Sequence, residues 1–214
     1  RLEYPTDNPD ERILTCRATA GSFTVDQFTN LEAKAFLINA SIRDEVPAEV
    51  VDYLHTKKGL LVADAQGFVR ILDDQKRLIH AIWPEQKKIL SLLDILKADA
   101  VEAESLSGLS DIKKAARQLA ASGPKEVVIT HRDGILVYAD THFYEEKFKP
   151  EKLIGRSGRG DTCIASYMAK RLSASPAEAI IWSAAVTSMK MEAEGPINAN
   201  KRDIENYIKQ KYYR

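Results

Sequence analysis

An α/β fold with a mainly parallel central sheet is predicted by three features of this 214-residue sequence. From about residue 34 onward, short apolar β-rich runs alternate with longer segments of helical period, which is the rhythm of βαβ units. The C-terminal third is helical. The opening stretch, residues 1–20, reads as strands without helices and adds a small β appendage.

Taken in order, "KAFLINA" at 34–40 reads as a strand and "PAEVVDYLHTKK" at 47–58 as a helix. "GLLVADA" at 59–65 returns to strand, "EQKKILSLLDI" at 85–95 to helix, and "ILKAD" at 95–99 to strand. A helix at 110–123 has Ser110 as its N-cap and Gly123 as its stop, and the apolar strand "EVVIT" begins at Glu126. "GILVYA" and "THFYEEKF", joined through Asp140, predict an antiparallel pair at one sheet edge. Cys163, Ile164, Tyr167, Met168 and Leu172 then share one helical face, and two further helices carry Ser175 and Asn200 as caps. Trp83 and Trp182 are expected in or near the core.

Composition narrows the function classes. Lys plus Arg and Asp plus Glu both number 31, so no bulk charge selects nucleic acid, and none is expected as a partner. The two cysteines, Cys16 and Cys163, have neither CxxC nor metal-ligand spacing; a reducing, cytoplasmic setting is expected. No apolar run approaches the roughly 18 residues of a membrane span, so no membrane partner is expected either. The chain starts at Arg1 with the strand-like "RLEYP", which predicts that residues precede it. The expected organisation is 1–20 as part of a small β lid and 21–214 as an α/β nucleotide- and substrate-binding domain, its N-terminal part missing.

The segment "GRSGRGDT" at 155–162 is the most informative. A phosphate-binding P-loop is excluded because Asp161 stands where its lysine belongs, and the dinucleotide fingerprint is weakened by Cys163 at its third glycine. The nucleophile elbow fails at Arg159, and no histidine is assignable as its base. What remains is physical. Glycines let successive N–H groups converge, and a helix starting there adds its positive dipole end, so an oxyanion or phosphoryl group is attracted. A carboxylate at such a place repels a resting phosphate, but it makes sense as a base that takes the proton of an attacking alcohol. Asp161 or Thr162 as an ordinary N-cap explains the same residues without function.

With these residues in hand, the sequence resembles the ribokinase-like, or PfkB, carbohydrate kinase family. The family signature D-T-x-G-A-G-D aligns with Gly155, Arg156, Ser157, Gly158, Arg159, Gly160 and Asp161, keeping the G-x-G-D core. Thr130 and Gly134 answer to the family's T-x-G-x-x-G, with one glycine missing, and Asp99 and Glu102 to its N-x-x-E, with Asp for Asn. "LVADAQGFVR" supplies Asp64, Gln66 and Arg70 where the family has a strand-end Asp, an amide and an Arg, a variant similar to the inositol and nucleoside-like branches. The resemblance covers the later two thirds of a family member.

The resemblance implies a three-layer ribokinase-like fold with a small β lid, and an ATP-dependent kinase acting on a hydroxyl of a small sugar, polyol or nucleoside. By it, Asp161 is the catalytic base, and the amides of Gly158, Arg159 and Gly160 stabilise the transferred phosphoryl group. Thr130 and Gly134 border the nucleotide, Asp64, Gln66, Arg70 and Arg156 meet substrate, and Asp99 with Glu102 holds a magnesium-bound water network. It also allows an activating monovalent cation and a homodimer through the lid. Two rivals stand beside it. One is a non-catalytic, nucleotide-binding regulatory relative, made plausible by the altered signature; the other is a purely structural interaction domain.

Overall fold

The computed structural model describes residues 1–3, 13–155 and 157–213. Its central sheet contains β3 (Ala35–Ile38), β4 (Leu60–Asp64), β7 (Ile95–Asp99), β8 (Glu126–Thr130), β9 (Gly134–Ala139) and β10 (His142–Lys147), in the order β10-β9-β8-β7-β4-β3. The pairs β3–β4, β4–β7 and β7–β8 are parallel, while β8–β9 and β9–β10 are antiparallel, so the predicted edge pair turning at Asp140 is present.

Near-continuous apolar runs mark strands buried on both faces, as sheets covered by crossover helices require. One face, with Leu61, Ala63, Leu96, Val127 and Ile129, packs on α1 (Ala48–His55), α3 (Gln86–Leu90), α4 (Ala100–Ser107) and α5 (Ile112–Ala120). The other, with Val62, Ile95, Val128 and Ile135, packs on α6 (Arg159–Arg171) and α7 (Pro176–Met191). Beyond α7 lies α8 (Lys201–Lys211), docked through Ile204 and Ile208. These are the three layers expected. Each fully buried Leu, Ile or Val contributes about 1.5–3 kcal/mol of burial.

Ser175 and Asn200 cap α7 and α8 as expected, each within a capping box. Two local expectations are corrected. The N-cap of α5 is Asp111 rather than Ser110, its carboxylate accepting from the amides of Lys113 and Lys114. Leu172 lies past the end of α6 and is largely exposed, whereas Cys163, Ile164 and Tyr167 form the buried face. Trp83 is buried and stacks on Phe68.

In the expected lid, β1 (Leu2–Glu3) pairs antiparallel with β2 (Ile13–Leu14), and the remainder of that hairpin at 4–12 falls outside the described residues. Thr15 bridges to Arg77, which joins this pair to a second hairpin that periodicity did not reveal, β5 (Arg70–Leu72) with β6 (Leu78–His80). Between β4 and β5 runs a single helical turn, α2 (Gln66–Val69). No helix among the described residues is long and apolar enough to cross a membrane.

Candidate active site

Parallel strands present their C-terminal ends on one edge, the edge where open α/β sheets bind ligands. Here β4 ends at Asp64, β7 at Asp99 and β8 at Thr130. Strand alternation sends Asp64 and Lys97 to the α6 side, and the parallel register sets them directly beside each other. Lys97 Nζ donates to Asp64 Oδ2 at 2.8 Å, and both side chains are almost wholly buried. Burial pushes the Asp64 carboxyl above its ordinary value, with Lys97 pulling against it and the charge of Asp161 adding to the rise. Burial also works against the Lys97 ammonium, but the carboxylates of Asp64, Glu102 and Asp99 outweigh it and hold its pKa above that of an ordinary lysine.

Above this pair α6 begins. Its N-cap, Gly158, takes φ 76°, a left-handed conformation that favours glycine, and turns the chain from the loop into the helix. Asp161 therefore lies in the first helical turn and is not the cap, which removes the purely structural explanation of its carboxylate. The amides of the first turn have no intrahelical acceptor and point out of the helix start. A Cβ on Gly160 would stand 2.9 Å from Lys97 Nζ, so the glycine leaves room for that ammonium beneath the helix start. Asn39, just beyond β3, donates from Nδ2 to Asp161 Oδ1 at 3.0 Å and so fixes the carboxylate's orientation.

Asp99 caps α4 and accepts from the Glu102 amide at 2.8 Å, while Glu102 reaches back to the Asp99 amide at 2.8 Å. Its other oxygen accepts from Arg70 at 3.2 Å. Glu102 is fully buried, and burial raises its pKa to about 7, opposed by Lys97 and aided by Asp99 and Asp64. Among the described residues no group of three acids, histidines or cysteines is placed to hold a metal ion.

Of the remaining expected site residues, Gln66 donates to the carbonyl of Ala40, and Arg70 is committed to Glu102. Thr130 is buried in register with Asp99. A Cβ on Gly134 would collide with the Glu146 carbonyl oxygen, so hairpin packing alone requires that glycine. Arg159 opens α6 with its guanidinium over the Phe148 ring, 6.0 Å from the centroid, and Arg156 lies outside the described residues. The structure thus brings Asp161, Gly158, Gly160, Asp64 and, through Lys97, the Asp99–Glu102 pair to one end of the sheet.

Three site residues escaped the sequence reading: Asn39, Lys97 and Lys190. Lys97 carried a signal, a charge interrupting the buried run "ILKAD". Asn39 carried a weaker one, as the first polar residue after a parallel strand. Lys190, in the last turn of α7, reads from sequence as a solvated lysine complementing a helix end.

Fold and site together define a three-layer α/β protein whose sheet edge carries an anion-accepting helix start with a carboxylate inside it. The chain belongs to the pfkB family of carbohydrate kinases, whose profile matches residues 6–203. Its structure is similar to that of a pyrophosphate-dependent myo-inositol-1 kinase converted into a myo-inositol-3 kinase, with TM-score 0.85 and 35% identity over 94% of this chain and 71% of that one. It is similar also to a pyrophosphate-dependent kinase of the ribokinase family complexed with a pyrophosphate analog and myo-inositol, with TM-score 0.83 and 36% identity over 91% and 70% of the two chains. A curated relative, the cytidine kinase of Thermococcus kodakarensis, is 35% identical over 86 residues, 39% of this chain and 31% of that protein. The match thus spans under a third of that relative's length. Ribokinase from Thermotoga maritima shares the fold at 19% identity, TM-score 0.65, over 87% of this chain and 60% of that one.

Proposed function

We propose that this protein transfers a phosphoryl group to a hydroxyl of a small sugar, polyol or nucleoside, with inositol-like polyols foremost among the acceptors. The observation that carries the reading is Asp161, set in the first turn of α6 and oriented by Asn39, beside amides that have no helical partner. In this reading Asp161 takes the proton of the acceptor hydroxyl, whose oxygen then attacks phosphorus. The amides of Gly158, Arg159 and Gly160 stabilise the charge that accumulates on the transferred group. The donor's bridging oxygen leaves with its remaining phosphate or nucleotide.

ATP is the donor expected from the resemblance, and inorganic pyrophosphate is a second, supported by the 35–36% identical relatives whose names carry it. Thr130 and Gly134 would flank a nucleotide, with Asp64, Gln66, Arg70 and Arg156 shaping the acceptor side; Asp64 and Arg70 act there through Lys97 and Glu102. A magnesium ion, when bound, supplies charge neutralisation to the donor phosphates. Asp99 and Glu102 fit it through its waters rather than as direct ligands, because their oxygens already serve the capping box and Arg70. Free cysteines at Cys16 and Cys163 are in keeping with a cytoplasmic setting.

A second reading, a nucleotide-binding regulatory relative, draws on Arg156 and Arg159 in a signature that elsewhere has Thr and Ala. The test is phosphorylated-product formation from ATP or pyrophosphate with magnesium across polyols, sugars and nucleosides. Acceptor-dependent product that disappears in Asp161→Asn supports the kinase, and donor binding without product on any acceptor supports the regulatory relative.

A further inference from the structure

Lys190 sits in the last turn of α7, only 4% exposed, with no hydrogen-bond acceptor or carboxylate partner among the described residues. Its direction is set by its neighbours: Nζ is 3.2 Å from where a Cβ on Gly155 would stand, and Cε is 3.8 Å from that of Gly158. The loop is tied to this helix end, since the amides of Ile154 and Gly155 both donate to the carbonyl of Met191. Gly155 also packs so closely on the Ala193 carbonyl that no side chain fits between them. The ammonium is therefore held against the inner side of the loop that leads into α6. The carboxylate of Asp161 borders the same glycine, its Oδ2 3.7 Å from the Gly158 Cβ position.

A buried ammonium without an acceptor costs several kcal/mol of desolvation, and proteins retain one where an anion arrives to meet it. The other buried lysine of the site, Lys97, already has Asp64. Lys190 has nothing but the loop, whose amides converge on an anion of their own. We propose that Lys190 is the cation that binds the terminal diphosphate of the phosphoryl donor, meeting it from the α7 side while the first-turn amides of α6 meet it from the other. This rests on the phosphoryl-transfer reading of the site and adds a residue to it. The shared chemistry is a diphosphate end, supplied either by free pyrophosphate or by a nucleoside triphosphate. A compact ammonium suits it because it serves phosphate as a point charge without fixing an orientation.

The test is calorimetric titration of the full chain with pyrophosphate, ATP and orthophosphate, each with magnesium chloride, and separately with myo-inositol. Wild type is compared with Lys190→Met, which keeps the apolar stem, and Lys190→Gln, so that loss of fold in one variant does not leave affinity unmeasured. Diphosphate affinity is expected to fall about 10- to 100-fold, the effect of removing a charge-assisted contact. Myo-inositol affinity stays level, and the ligand-free melting temperature of Lys190→Met is unchanged or higher because an unpaired buried charge is gone. Loss confined to pyrophosphate or to ATP identifies the donor and supports the proposal. Unchanged diphosphate affinity in a folded variant overturns it, as does an equal loss for myo-inositol or collapse of both variants. Those results leave the kinase reading standing wherever Asp161→Asn still abolishes turnover. Conversely, diphosphate binding that depends on Lys190 in a chain that phosphorylates no acceptor supports the proposal and removes the kinase reading.

Discussion

The two ends of α6 both carry buried charge, and they use it differently. At the C-terminal end the polar groups are matched. Glu126 accepts from Tyr167 at 2.6 Å and from Arg171 at 2.6 and 3.0 Å, and Arg171 also donates to the Ala174 carbonyl. Burial, and then the Glu126 carboxylate, hold the Tyr167 phenol well above its ordinary pKa, so it remains a donor at every working pH. At the N-terminal end the first-turn amides have no helical acceptor and Lys190 has no partner among the described residues, while Asp161 is held by one amide from a distant strand. A closed hydrogen-bond set marks a device for holding α6 on the sheet. An unfilled one marks a place prepared for a ligand.

The contrast can be broken by substitution, beginning at the N-terminal end. Asp161→Asn keeps shape and hydrogen-bonding reach but not basicity, and should lower turnover about 10²- to 10⁴-fold with an unchanged denaturation midpoint. A comparable loss of stability would make Asp161 a structural residue after all. Arg171→Ala should do the reverse: leaving the Glu126 carboxylate unpaired costs about 2–4 kcal/mol in urea unfolding, with turnover per folded molecule unaltered. Asn39→Ala frees the base to rotate, and about a tenfold drop in turnover with near-native stability is expected from the loss of one hydrogen bond to a charged group.

The smallest effect is one of pH. Because the folded pKa of Glu102 is raised from 4.5 to about 7, the native state keeps its proton longer than the unfolded chain does. This group's contribution is therefore fully present below about pH 4.5, declines as pH rises and is lost above about 7. Glu102→Gln, which keeps the capping acceptor, should gain on wild type across that window by on the order of 2 kcal/mol. A stability difference that stays flat from pH 5 to 7 would show that Glu102 is ionised throughout.

How much of this was legible beforehand follows from the range of the interactions. Strands such as "EVVIT" and the caps Ser175 and Asn200 are written locally and were read correctly. The β5–β6 hairpin was missed because its two strands are only three residues each, too short for alternation to register. Asp161 was found from its glycine-rich setting, but whether it capped the helix or stood free within it was decided by Gly158 taking the left-handed turn one position earlier than a capping role for Asp161 or Thr162 would need. The partnership of Asp64 with Lys97 depends on strand register, which no single segment contains.

The hydrogen bond from Asn39 to Asp161 joins positions 122 residues apart. A short motif around α6 therefore names the base without aiming it, since the aim comes from the far edge of the sheet. Inventories of active relatives compiled from G-x-G-D alone will count proteins that possess the carboxylate but lack the strand that orients it. The informative unit for recognising a working member is the pair of positions, read together across the fold.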